Sequence, residues 1–141
     1  MVLYSCHIFN RQGTCIYHRE WNQKAKKTEQ QLEEEYKLMY GMIFSLKQFV
    51  TGIAPKESEC FHSFKTNTYK LHFYESPTGF KFIIITDPNV AQLTDHLKHI
   101  YQKIFVEFAA TNALHKVDGK IEGFLFAQQL QTYVEQWGWY N

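Results

Sequence analysis

The sequence predicts an α/β fold, a five-stranded antiparallel sheet with one helix on one face and two on the other, in the order β-β-α-β-β-β-α-α. Three observations carry this. Five β-rich segments lie between turn signals, and three further segments have the period of an amphipathic helix. The run Phe80-Lys81-Phe82-Ile83-Ile84-Ile85 does not alternate cleanly, which fits a central strand buried on both sides. Such a strand needs helices over each face of its sheet. With 141 residues, 45% hydrophobic and 17% aromatic, the chain has enough to bury, and the expectation is one domain over residues 1–141.

The elements follow in order. Val2 to Phe9 is β-rich, Asn10-Arg11-Gln12-Gly13 is a turn, and Thr14 to His18 reads as the return strand. Residues 22–35 are polar, with Lys24, Lys26 and Lys27 followed by Glu29, Glu33, Glu34 and Glu35, a solvated loop leading into a helix. Leu32, Tyr36, Met39, Ile43, Leu46, Val50 and Ile53 then step by three and four along one helix face, and Gly52 and Pro55 bracket its stop. Strands follow at Cys60 to Thr66, Tyr69 to Ser76 and Phe80 to Asp87, the last two joined by the turn Ser76-Pro77-Thr78-Gly79. Asp87-Pro88-Asn89 is expected to open a second helix with the stripe Val90, Leu93, Leu97, Ile100, Tyr101, Ile104 and Phe108. Past a connection near Asp118-Gly119, a shorter helix carries Phe126, Leu130, Tyr133 and Trp137.

Composition excludes several classes of function. A formal net charge of +1 gives no broad attraction to nucleic acid or an acidic membrane. Cys6, Cys15 and Cys60 lack CxxC spacing and read as reduced thiols of a cytosolic protein. No apolar run reaches the roughly 20 residues of a membrane span, and the N-terminus is not expected to be a signal peptide or a myristoylation site. Membrane contact is therefore expected only through a partner. The glycines form neither GxGxxG nor a P-loop, and no GxSxG elbow occurs. His96 and His99 share a helix face with Asp95 beside them, but no third ligand is evident, so a solvated face is expected there rather than a metal site. His7, His62 and His72 are expected as edge or satisfied core histidines, and Cys6 as a buried structural thiol. The reading is of no catalytic residues, no metal and no cofactor.

One feature exceeds a plain domain. Besides its main stripe, the first helix carries Leu38, Met42 and Phe49 on a second line roughly 100° away. Ser45 fills the gap in that line and Gly41 lies beside it, small residues that permit close approach of another backbone. Burying three such side chains is worth roughly 5–9 kcal/mol, against an association cost of about 4–15 kcal/mol. The line thus supports a modest interface that an exposed sheet edge would reinforce. The alternative is coverage by the chain's own aromatics Trp137, Trp139 and Tyr140.

Several of these residues also carry a resemblance. Ile8-Phe9-Asn10-Arg11 with Gly13, Cys15 and Glu20-Trp21, the block Glu34 to Ser45 containing Tyr40-Gly41-Met42, the hairpin Tyr69 to Gly79 with Pro77-Thr78-Gly79, Thr86-Asp87 and His99-Ile100-Tyr101 resemble the smallest longin-type (sybindin-like) subunit of the TRAPP (transport protein particle) tethering complex. The likeness runs from the first strand through the second helix and fades after about Thr111. Asn10 stands where that family has an aspartate, so no role is carried over to it. The resemblance implies a longin (profilin-like) fold and a subunit with no activity alone. It implies pairing with a second longin-type subunit and contact with palmitoyl-bearing α/β subunits. It also implies a share, through the assembled complex, in guanine nucleotide exchange on a Rab GTPase in ER-to-Golgi and Golgi traffic. Location would be cytoplasmic, peripheral to Golgi and ER–Golgi membranes. Leu38, Gly41, Met42, Ser45 and Phe49 become the contact candidates for a subunit or the GTPase. The competing reading is a longin-type regulatory or adaptor small subunit of another trafficking complex. A fusion-protein regulatory domain would continue into heptads, and a clathrin-adaptor subunit would lack the Tyr40-Gly41-Met42 block.

Overall fold

The computed structural model describes residues 3–21, 28–53, 63–91, 93–106 and 125–137. These fall into two compact units, residues 1–22 with 63–141, and residues 23–62. The first contains strands β1 (Leu3–Phe9), β2 (Cys15–Glu20), β3 (Ser63–Lys65), β4 (Lys70–Glu75) and β5 (Lys81–Thr86). It also contains helices α2 (Thr94–His99) and α3 (Leu125–Glu135). Helix α1 (Glu29–Ile53) is the described part of the second unit.

The five strands form one antiparallel sheet in the order β2-β1-β5-β4-β3. The last strand, β5, thus lies between the β1–β2 and β3–β4 hairpins. β1–β2 closes on Asn10, whose Oδ1 accepts hydrogen bonds from Gln12 N (3.0 Å) and Thr14 N (2.9 Å), while Gly13 takes φ 87°. β4–β5 closes on Ser76, whose Oγ accepts from Phe80 N at 3.0 Å. Gly79 at φ 91° completes that turn, where a Cβ would also meet Arg11 Cγ at 3.0 Å.

β5 is central, as its apolar run requires. Phe82 and Ile84 point to one face and Ile83 to the other, and all three are buried. On the first face, Cys6 lies opposite Ile84 and Ile8 opposite Phe82. These side chains merge with Val90, Leu93, Leu97, Ile100 and Ile104, and with Phe126, Leu130, Val134 and Trp137, into one core, so α2 and α3 share a face of the sheet. On the second face Ile83, Leu71, Phe73 and Phe9 are buried too.

Several expected boundaries move. β2 runs on to Glu20, because Arg19 and Glu20 still pair with Cys6 and Ser5. β3 is described from Ser63, so Cys60 and His62 lie outside the described residues, as do Lys24, Lys26, Lys27, Pro55, Phe108, Asp118 and Gly119. Asp87-Pro88-Asn89 does not open a helix. The Asp87 carboxylate accepts from Asn89 N at 2.9 Å and its carbonyl from Val90 N at 3.2 Å, a local turn that competes with helix initiation. Helix begins at Thr94 and widens into a π-helical stretch over Ile100–Phe105, with Ile100, Ile104 and Phe105 buried. In α3 the buried set includes Val134, which the sequence stripe had omitted, while Tyr133 is half-buried.

Candidate partner interface

α1 starts on a reciprocal cap. Thr28 Oγ1 accepts from Gln31 N at 3.2 Å, and Gln31 Oε1 accepts from Thr28 N at 3.1 Å. Glu29 sits in the first turn, where a carboxylate favours the helix dipole. Twenty-five residues follow without proline, so the helix propagates to Ile53.

Along this helix only Ile43 is buried, at 1% exposure, among the described residues. Leu32, Tyr36, Met39, Leu46 and Val50 of the same stripe are half-buried, but Ile53, assigned to that stripe, is 65% exposed. Its position explains the difference: Ile53 lies four residues beyond Phe49, about 40° round, and belongs as much to the second line as to the first. In that second line Leu38 is 76% and Phe49 63% exposed, Met42 is half-buried, and Gly41 and Ser45 are exposed. A Cβ built on Gly41 meets nothing within 4 Å among the described residues. Phe44, which sequence reasoning passed over, is 52% exposed on another side of the helix. The signal was available: Phe44 follows Ile43, so it is turned about 100° from the most buried position.

Leu38, Phe49 and Ile53 leave large apolar side chains in water along one side of the helix, interrupted at Ser45. Such strips on folded chains mark contact surfaces. Nothing in the strip is titratable, and its chemistry is that of shape and apolar burial.

The titratable residues elsewhere are held structurally. His72 is buried, with Nε2 2.9 Å from Thr86 Oγ1. Burial, reinforced by the Lys70 cation, pushes its pKa down to about 4, so it is a neutral, satisfied core histidine. Cys6 is buried and its thiol is pushed up to about 12 by desolvation, which removes it as a nucleophile. His7 is buried, with its ring 4.6 Å from that of His18.

His96 departs from the solvated face expected of it. Its Nδ1 lies 2.8 Å from Tyr133 Oη and its ring 4.8 Å from that of Trp137, so it joins α2 to the α3 end. His99 stacks on Tyr133 at 4.2 Å. The reason is that α3 packs along α2 on the side where the i, i+3 histidines project. Burial lowers the His96 pKa and His99 adds to this, with Asp95 opposing. Similarly, Trp21 Nε1 donates to Gln131 Oε1 at 2.7 Å and Arg19 Nη1 to the Ala127 carbonyl at 3.3 Å, tying β2 to α3. Among the described residues no group of three His, Cys, Asp or Glu is placed to hold a metal ion, and no helix is long and apolar enough to cross a membrane.

Comparison with known proteins places this geometry in context. Residues 3–137 match the model of the Sybindin-like family. The chain is 45% identical over 138 residues to a protein of Dictyostelium discoideum named trafficking protein particle complex subunit 1, covering 96% of each. It is 42% identical over 135 residues to the Rattus norvegicus protein of the same name, covering 95% of this chain and 92% of the relative. It is 34% identical over 125 residues to transport protein particle subunit bet5 of Schizosaccharomyces pombe, covering 82% and 80%.

Proposed function

Because the chain belongs to the Sybindin-like family, we propose that it is a non-catalytic subunit of a TRAPP (transport protein particle) complex, with the exposed apolar strip of α1 as its partner contact. The observation that carries this is the strip itself: Leu38, Phe49 and Ile53 are mostly in water on an ordered helix. A chain related to complex subunits over almost its whole length has a ready explanation for such a surface. Residues 1–141 act as one longin-like domain, partnered by a second longin-type subunit and by palmitoyl-bearing α/β subunits. Membrane contact is indirect, at Golgi and ER–Golgi membranes on the cytoplasmic side.

The assembled complex, in this reading, promotes nucleotide exchange on a Rab GTPase. Exchange asks for no nucleophile or metal from this chain. A surface that binds the nucleotide-free GTPase better than the loaded one shifts the population towards release. Leu38, Gly41, Met42, Ser45 and Phe49 supply shape and apolar area to that surface or to the subunit contact that builds it.

The test is the double variant Leu38→Asp with Met42→Asp, followed by co-elution with TRAPP subunits on size exclusion and a thermal melt of the chain alone. Loss of co-elution with an unchanged melt is expected. If fold and assembly are lost together, these side chains belong to the core and the contact assignment is wrong.

A further inference from the structure

We infer that the groove between α3 and the π-helical stretch Ile100–Phe105 is a second contact, one that takes a short extended segment of a partner subunit with a carboxylate on Lys103. This rests on the proposed role as a complex subunit and adds a contact carried by the sheet unit rather than by α1. The groove holds about 400 Å³. Lys103 and Ile104 line it from the π-helical side, and Gln128, Thr132 and Gln136 line it from the other, four residues apart. Tyr133, fixed by His96 and His99, lines it too.

Two features set this groove apart from the usual seam between packed helices. The first is its π-helical side, where the Val106 N–H reaches the Tyr101 carbonyl five residues back. Such widened turns are rare and recur at functional sites. The second is charge. Lys103 is exposed and, among the described residues, has no ion-pair partner. No carboxylate among the described residues lines the groove. Those of the two helices stand outside it: Glu135 accepts from Gln131 Nε2 at 3.0 Å, and Asp95 lies near His96.

These features specify the occupant. A single lysine suits a carboxylate, whereas an anionic membrane surface is held by clusters of cations. Gln128 to Gln136 spans about 12 Å along the helix, the length of about three or four extended residues. Glutamine amides both donate and accept, so they match the N–H and C=O groups that an extended segment leaves unpaired. The Thr132 hydroxyl donates to the Gln128 carbonyl at 2.9 Å, so the amides and Lys103 carry the polar recognition. A groove this short falls well below the roughly 800 Å² per partner of a standard interface. The contact is therefore an anchor within an assembled particle, where other surfaces share the binding.

The test places a photoreactive benzophenone amino acid at Gln129, which lines the groove, in the full chain expressed in cells that hold the other TRAPP subunits. The same amino acid at Gln102, exposed but outside the groove, is the control. Illumination is expected to link position 129 to one TRAPP subunit, within about four residues of an Asp or Glu. Lys103→Glu is expected to lower that yield about tenfold, and Lys103→Arg to keep it. Changing the partner's acidic residue to Lys is expected to restore the yield in the Lys103→Glu chain. Thr132→Trp fills the groove from an exposed position and is expected to abolish the crosslink with an unchanged melting temperature. It decides the matter if Lys103→Glu lowers the melting temperature. No crosslink above the Gln102 control, a linked segment without Asp or Glu, or yields unchanged by both Lys103→Glu and Thr132→Trp overturn the contact. In those cases co-purification of TRAPP subunits leaves the proposed function standing. If the unaltered chain retrieves no TRAPP subunit, the proposed function fails and this inference with it.

Discussion

α1 and α3 are both amphipathic helices with apolar residues stepping by three and four, yet they end in opposite conditions. In α3, Phe126, Leu130 and Val134 are fully buried against β1, β5 and α2, and polar side chains face outward. In α1, a helix more than twice as long, Leu38, Phe44, Phe49 and Ile53 stand exposed and only Ile43 is buried. Apolar periodicity therefore reports the existence of a buried face but not what buries it. An apolar arc about 100° wide suits a helix lying on one surface. α1 has apolar side chains over a much wider arc, and Leu38, Phe44, Phe49 and Ile53 on it are exposed.

Truncating one aromatic side chain in each helix should separate the two most strongly. Phe126→Ala is expected to cost about 3–5 kcal/mol of folding stability, because it opens a cavity among Phe105, Tyr17 and the sheet. Phe49→Ala, at an exposed position, is expected to fall within about 0.5 kcal/mol in the same denaturation experiment. Equal losses would show that the α1 ring is packed and would erase the distinction.

Acid should act on the sheet unit more than on α1. His72 is neutral in the folded protein, with its pKa lowered from 6.5 to about 4 by burial and then by Lys70, whereas the unfolded chain takes up a proton near 6.5. The stability this confers is complete above pH 6.5 and is lost as the pH falls through about 4. Its size is on the order of 3 kcal/mol. Melting temperature measured from pH 7 to pH 4 should therefore fall, and His72→Gln, which keeps a partner for Thr86 but cannot titrate, should flatten part of that fall. The lowered pKa of His96 acts in the same direction.

Smaller effects separate the two helices further. Tyr133→Phe removes the hydroxyl that meets His96 and is expected to cost about 1 kcal/mol in urea unfolding. Gly41→Ala is expected to go the other way and stabilise the isolated chain by about 0.5–1 kcal/mol, since the position is exposed, helical and has room for a methyl group. If that variant also weakens association with TRAPP subunits, the space beside Gly41 is used by a partner. A destabilised chain would mean that the chain itself uses it.

Much of the fold was legible along the chain. Gly13 and Gly79 mark the β1–β2 and β4–β5 hairpins because their turns demand positive φ, a requirement that few other residues meet. The unbroken run at Phe82-Ile83-Ile84 marks the central strand because both its faces need apolar side chains. Other features were not legible. Asp87-Pro88-Asn89 has the composition of a helix start, but Asp87 spends its carboxylate on a turn instead. The π-helical stretch Ile100–Phe105 leaves no mark in the apolar spacing, since Ile100 and Ile104 are buried as an α-helix would also bury them. Of the contact candidates, the apolar line was readable as excess, while Phe44 was not singled out because it stands off both lines.

The local chemistry of the chain determined its strands, turns and helix faces, because alternation, helical period and glycine placement are properties of neighbouring residues. Tertiary structure decided the rest. It placed β5 between two hairpins, buried His72, drew the half-buried His96 against Tyr133, and left four large apolar side chains of α1 in water. Whether a given side chain is buried depends on surfaces brought together from distant parts of the sequence, and no periodicity within one segment records which surface will arrive.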